Sequence, residues 1–213
     1  MHDGEAPGLV DAVVFDLGGV LIDWDARYLY RSLLSDPAAV DAFLAEIGFD
    51  DWNRTLDAGR DWDEAVEWLA NRHPHRRALI EAFRDRWEET LGTAMEATVA
   101  VLRELRAHTI RVFALSNWSR RTFDVAASHF EFLEWFEAVV ISGDVGATKP
   151  DERIFRRLLE DHGLSASSAV FVDDVEENVR AAEGLGMAGI RFENAAQLRG
   201  ALFDLGLPVA RDS

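Results

Sequence analysis

The feature that most constrains this chain is a recurring one: short apolar runs, most of them rich in β-branched residues, that each stop at a polar residue. Ala12-Val13-Val14-Phe15 stops at Asp16 and leads into Gly18-Gly19, a turn signal. Ile110-Arg111-Val112-Phe113-Ala114-Leu115 stops at Ser116-Asn117, Ala138-Val139-Val140-Ile141 at Ser142-Gly143, and Ala169-Val170-Phe171-Val172 at Asp173-Asp174. Gly189-Ile190-Arg191-Phe192 is a weaker fifth. Runs this short and this apolar have the length and composition of buried strands. Between them the spacing predicts helices over 96–107, 119–130, 151–163 and 176–186. Asp151 and Glu152 follow Pro150 into the first turn of the third, where carboxylates suit the helix dipole. Strands covered on both faces, alternating with helices, form parallel βαβ units. The expectation is an α/β fold with helices on both sides of a parallel sheet.

The rhythm breaks between the first run and the second. Residues 24–92 carry no strand signal and show helical spacing instead, as in Trp62, Val66, Leu69 and Leu79, Phe83, Trp87. Five of the seven tryptophans lie there: Trp24, Trp52, Trp62, Trp68 and Trp87. This stretch is expected to be a small helical bundle inserted after the first strand, with most of those tryptophans in its core and one or two lining a pocket. Residues 1–11 read as a loose leader. At roughly 150 residues per domain, 213 residues suit one domain carrying such an insertion.

Charge excludes whole classes of partner. The net charge is −17, from 22 basic and 39 acidic side chains. That field repels a phosphate backbone, so neither nucleic acid nor an anionic membrane is expected as a partner. The absence of cysteine removes disulfide, thiolate–metal and cysteine-nucleophile chemistry. No apolar run approaches the ~20 residues of a membrane span, and no basic stretch leads into an apolar one as in a secretory signal. A cytoplasmic protein is expected, with its oligomeric state left open. Lys149 is the one lysine beside 21 arginines. Coding bias accounts for the scarcity, and it sharpens the question of why a compact ammonium is kept at this one place.

In an open parallel sheet the carboxyl ends of the strands share an edge, and ligands bind in the crevice there. Asp16, Ser116, Asn117, Asp173 and Asp174 all follow strands and should converge at that edge, with Lys149 beside them. Singly, each is an ordinary cap or turn residue. Together, Asp16, Asp173 and Asp174 repel one another unless a cation sits among them. Mg²⁺ fits best, because it takes one or two carboxylates plus substrate phosphate. Ser116, Asn117 and Lys149 then offer a hydroxyl, an amide or backbone N–H, and an ammonium to an anionic group.

The segment Val13-Val14-Phe15-Asp16-Leu17-Gly18-Gly19-Val20-Leu21 resembles the first motif of the haloacid dehalogenase superfamily of hydrolases. Ala114-Leu115-Ser116-Asn117 resembles the second, Ala147-Thr148-Lys149-Pro150-Asp151 the third, and Val170-Phe171-Val172-Asp173-Asp174, with Asn178 four residues on, the fourth. The set spans residues 12–187 in family order, and it looks most like the sugar-phosphate (glucose-1-phosphate-like) phosphatase branch. The resemblance implies a Rossmann-like three-layer core over 1–23 and 93–213 and a helical type-1 cap over 24–92. It implies that Asp16 is a nucleophile forming an aspartyl-phosphate. Mg²⁺ would be held by Asp16, the main-chain carbonyl of Gly18 and Asp174, with Asp173 directly behind. Ser116, Asn117 and Lys149 would bind the phosphoryl oxygens, and Lys149 would also restrain Asp16. The substrate would be a small phosphorylated metabolite chosen by the cap, whose segments Asp51–Arg54 and Asp57–Arg60 look like the part that faces the core, with Arg54 or Arg60 as contacts.

One position departs from the family. Most phosphatases of this superfamily carry a second Asp two residues after the nucleophile, which protonates the leaving group; here that position is Gly18. Either Asp23 or Asp25 on the linker takes its place, or the leaving group is good enough to need no acid. The true dehalogenases also lack the second Asp, but they lack the acidic pair Asp173-Asp174 and use no Mg²⁺. Two alternatives therefore stand beside the phosphatase: a dehalogenase-type hydrolase, and a non-catalytic relative that binds a phosphorylated metabolite.

Overall fold

The computed structural model describes residues 10–210, and the expected leader over 1–11 lies largely outside them. The chain runs from β1 (Ala12–Phe15) through β2 (Ile22–Trp24) into five helices: α1 (Ala26–Arg31), α2 (Pro37–Ile47), α3 (Phe49–Asp57), α4 (Trp62–Arg72) and α5 (Arg77–Asp85). It returns through β3 (Leu91–Ala94) to α6 (Glu96–Ala107), β4 (Arg111–Ser116), α7 (Arg120–His129), β5 (Ala138–Ile141) and the short α8 (Ser142–Val145). Then follow α9 (Glu152–Asp161), β6 (Ala169–Asp173), α10 (Glu176–Gly184), β7 (Ala188–Arg191) and α11 (Ala195–Asp204).

The five apolar runs form one parallel sheet in the order β5-β4-β1-β6-β7. Strand alternation sends their side chains to two cores. Val14, Phe113 and Phe171 face Ile154, Phe155 and Leu158 of α9. Val13, Phe15, Val112 and Val172 face Leu102 and Leu105 of α6 and Leu198 and Leu202 of α11. Both faces are therefore buried, which is why these strands read as continuous apolar runs. The chain builds outward from β1 on one side (β4, β5) and then on the other (β6, β7), so the crevice beside β1 is the topological switch point where α/β sheets bind ligands. Asp151 caps α9 by accepting the N–H of Arg153.

Five helices, α1 to α5, follow β1, and they are framed by two short strands that the sequence did not suggest. β2 and β3 pair antiparallel, with Ile22 opposite Ala94 and Trp24 opposite Leu91. These strands are too short for an alternating pattern, and Asp23 and Gly92 are poor strand formers. Gly92 is required there by close approach: a Cβ would lie 2.9 Å from the Asp23 carbonyl oxygen. The helix α11 was also not expected, since of its residues only Leu198 and Leu202 are buried, too few to mark a helical face.

Phe83 centres the insertion, with ring centroids of Phe49, Trp52 and Trp62 at 5.1, 5.5 and 5.6 Å. Trp68 differs from the core role expected of most of the tryptophans: it is 46% exposed, with the guanidiniums of Arg60 and Arg72 against its ring. The insertion is pinned to the sheet edge at two points. Ser142 Oγ donates to the Asp57 carbonyl at 2.6 Å, and Trp62 Nε1 donates to Ser119 Oγ at 3.1 Å.

Candidate active site

Asp16 emerges where β1 ends, and its carboxylate is held asymmetrically. Oδ1 accepts from its neighbour's main chain, the Leu17 N–H, at 2.7 Å and from Ser116 Oγ at 2.8 Å, and Lys149 Nζ lies 2.9 Å away. Among the described residues no donor reaches Oδ2. One oxygen is thus immobilised and the other is available to a cavity of about 300 Å³. Burial pushes the Asp16 pKa up to about 7; the Lys149 ammonium pulls against this, and the charge of Asp173 adds to it.

Lys149 is buried and has three partners. It lies beside Asp16 and donates to Asp173 Oδ2 at 2.6 Å and to the Leu115 carbonyl at 2.9 Å. Burial opposes its charge, but Asp16 and Asp173 outweigh that and raise its pKa. Asn117 fixes the segment that carries it. Asn117 Oδ1 accepts the Lys149 N–H at 2.7 Å, and Nδ2 donates to the Lys149 carbonyl at 3.1 Å. Of the two donors expected from Asn117, the side-chain amide is therefore spent on positioning Lys149.

Asp173 is fully buried behind this pair. Its oxygens accept from Lys149, from the Val175 N–H at 2.8 Å, and from Asn178 Nδ2 at 3.0 and 3.1 Å. Asp174, by contrast, faces solvent and the cavity. Its pKa is raised, by burial first and by Asp173 second. An oxygen from each of Asp16, Asp173 and Asp174 lies within 4.8 Å of the others. Because Asp173 is saturated by its own donors, Asp16 and Asp174 are the two carboxylates available to a cation. Three carboxylates against one ammonium leave the cluster negative, and its all-oxygen donor set suits a hard cation such as Mg²⁺. Gly19 belongs to the same construction: it has φ +75°, and a Cβ there would lie 2.6 Å from Asp174 Oδ2.

The rest of the cavity comes largely from the insertion and the loop after β4. Trp24, Trp87 and Trp118 are three of its walls, and Asn53 and Asp57 reach it from α3. Neither expected arginine contributes. Arg54 pairs with Asp51 at 3.1 Å, and Arg60 lies over Trp68. The two candidates for the missing acid are also engaged elsewhere. Asp23 accepts the Tyr28 hydroxyl at 2.7 Å, and Asp25 caps α1; neither lines the cavity. Asp57 does line it, in the segment expected to face the core, but sequence reasoning singled out Arg60 there and not Asp57. An acidic residue ending a helix before Ala58-Gly59 looks like any solvated turn residue.

A family model for haloacid dehalogenase-like hydrolases matches residues 10–186. The chain belongs to that family. Among its relatives is a sesquiterpene phosphatase, astK of Aspergillus oryzae, 26% identical over 86% of this chain and 90% of that protein. Another is the drimenol cyclase drtB of Aspergillus calidoustus, 29% identical over 95% of this chain. The chain spans only 38% of that cyclase. A family enzyme from Bacteroides thetaiotaomicron, solved as a magnesium complex, superposes with a TM-score of 0.71 at 22% identity, covering 92% of this chain and 98% of that one. The chain is thus a haloacid dehalogenase-like hydrolase with a Rossmann-like core, and phosphatases stand among its relatives. No helix of the described residues is long and apolar enough to cross a membrane.

Proposed function

We propose that this hydrolase is a Mg²⁺-dependent phosphomonoesterase that acts on a small phosphorylated metabolite through an aspartyl-phosphate on Asp16. The observation that carries the reading is the asymmetric Asp16 carboxylate: Oδ1 is fixed by Leu17, Ser116 and Lys149, and Oδ2 is left without a donor beside Asp174. A nucleophile so held has its attacking oxygen oriented before substrate arrives. Asp16, the Gly18 carbonyl and Asp174 would hold Mg²⁺, which when bound neutralises charge between the carboxylates and the phosphoryl oxygens. On this reading the Lys149 ammonium acts on the phosphoryl oxygens through its charge, and the Ser116 hydroxyl, which holds Oδ1 before substrate arrives, turns to a phosphoryl oxygen as charge builds. Asp173 and Asn117 position Lys149. On this reading residues 24–92 are a cap over a core of residues 1–23 and 93–213, and the tryptophan walls contact the group that carries the phosphate. Flat aromatic walls suit a sugar ring or an apolar chain. A sugar-phosphate series should accordingly be run against prenyl phosphates, the latter suggested by the sesquiterpene phosphatase relative.

A dehalogenase is the second reading, favoured by Gly18. Hydrolysis of p-nitrophenyl phosphate with Mg²⁺ and with EDTA separates the two. The phosphatase reading predicts turnover that EDTA abolishes and that Asp174→Asn reduces to a small residue with the fold intact by circular dichroism. Release of chloride from 2-chloropropionate with no phosphatase activity would establish the dehalogenase instead. Wild-type Mg²⁺ affinity in Asp174→Asn by titration calorimetry would remove Asp174 from the metal site.

A further inference from the structure

The phosphatase reading leaves a gap at the leaving group. A Cβ on Gly18 would meet nothing within 4 Å, so the place beside the nucleophile where a second carboxylate would stand is open space. In-line displacement puts the leaving oxygen on the far side of phosphorus from Asp16, toward the insertion. The acid that serves it must come from there.

From the geometry we infer that Asp57, at the carboxyl end of α3, is the proton donor to the leaving group and then the base that activates water. The inference rests on the phosphatase reading and goes beyond it. Among the residues the insertion brings to the cavity, Asp57 is the one with a titratable side chain. Its backbone is fixed to the core, because Ser142 Oγ donates to its carbonyl at 2.6 Å. Its carboxyl group is fixed as well: Asn53 Nδ2 reaches Oδ2 at 3.0 Å, and the Ser119 N–H donates to it from the loop after β4. Few cations or anions act on it. Arg54 on its own helix is paired with Asp51, Asp16 faces it across the cavity, and Arg120 and Asp144 on the packed elements are paired with each other. Burial is the largest influence and pushes its pKa up to about 8, so near neutral pH the group carries a proton to give.

The bonds balance over two steps. Asp16 attacks phosphorus and the bond to the leaving oxygen breaks. The electron pair goes to that oxygen, which takes the proton of Asp57. A water molecule then enters from the vacated side and gives a proton to the Asp57 carboxylate. Its oxygen bonds to phosphorus, and the bond to Asp16 breaks with the electron pair returning to the Asp16 carboxylate. Asp57 is protonated again.

The test compares two leaving groups on one protein preparation. With Mg²⁺ present, Asp57→Asn should lose on the order of 10²–10⁴ in kcat on an alkyl phosphate, the usual worth of general acid–base catalysis. Release of p-nitrophenolate in the first turnover needs little protonation and should fall far less, leaving a burst followed by slow turnover. On the alkyl substrate, wild-type kcat/KM should fall above about pH 8, and that fall should be missing in Asp57→Asn. The ratio of the two losses does not depend on the fraction of folded protein. Asp50→Asn, an exposed acid on the same helix, serves as the control and should leave both rates unchanged. Equal losses on both substrates, with no burst, would overturn the role of Asp57. Absence of any Mg²⁺-dependent phosphate release by the wild type would overturn the phosphatase reading itself.

Discussion

Lys149 shows how much one residue can be made to do. Its ammonium sits between two carboxylates and a backbone carbonyl at 2.6–2.9 Å, with its side chain 1% exposed. A guanidinium is broader and planar, and it would push Asp16 or Asp173 out of line. Lys149→Arg is therefore expected to be nearly as damaging as Lys149→Ala. Steady-state kinetics should show it keeping less than about a tenth of wild-type kcat/KM, a loss above ~1.4 kcal/mol. A variant that kept more would show that only the charge matters. This residue was legible in the sequence because it is the one lysine in an arginine-rich chain. Asp16, Ser116, Asp173 and Asp174 were legible because each ends a buried strand. Asp57 was named only as the start of a segment facing the core, because what sets it apart is a half-buried position and a core serine 85 residues away, and neither leaves a local trace.

Elements that carry their own pattern were readable, and those that depend on distant partners were not. β1, β4 and β6 are buried almost throughout and β5 is an apolar run at least half-buried, so their composition alone marks them. The β2–β3 ribbon is defined by pairing across the whole insertion, which no window of sequence contains. The contact between α3 and the start of α8 is of the same kind, and it carries a prediction. Ser142 Oγ accepts the Trp118 N–H at 2.9 Å and donates to the Asp57 carbonyl. Ser142→Ala leaves both groups without that partner, at a cost of about 1–3 kcal/mol for the buried Trp118 N–H and less for the part-buried Asp57 carbonyl. The thermal midpoint should fall, and kcat on an alkyl phosphate should fall more than the first-turnover rate on p-nitrophenyl phosphate. An unchanged ratio of the two rates would mean that this serine only stabilises and does not place Asp57.

At the scale of the whole molecule, a chain of net charge −17 gains nothing from its overall field in binding an anion. On the proposed function the attraction is local, from the Lys149 ammonium, the Ser116 hydroxyl and a cation that Asp16 and Asp174 would hold. The doubly wound sheet brings these together at the switch point beside β1, and the helical insertion closes the cavity over them. On the proposed function all of this serves one chemical event, transfer of a phosphoryl group to Asp16. The most direct measurement is to quench the enzyme in acid during turnover of p-nitrophenyl phosphate with Mg²⁺ and to map the peptides by mass spectrometry. The mass of one phosphoryl group is expected on the peptide containing Asp16, lost on treatment with hydroxylamine and missing in Asp16→Asn. Steady turnover with that peptide always unmodified, or with the label on another carboxylate, would contradict it.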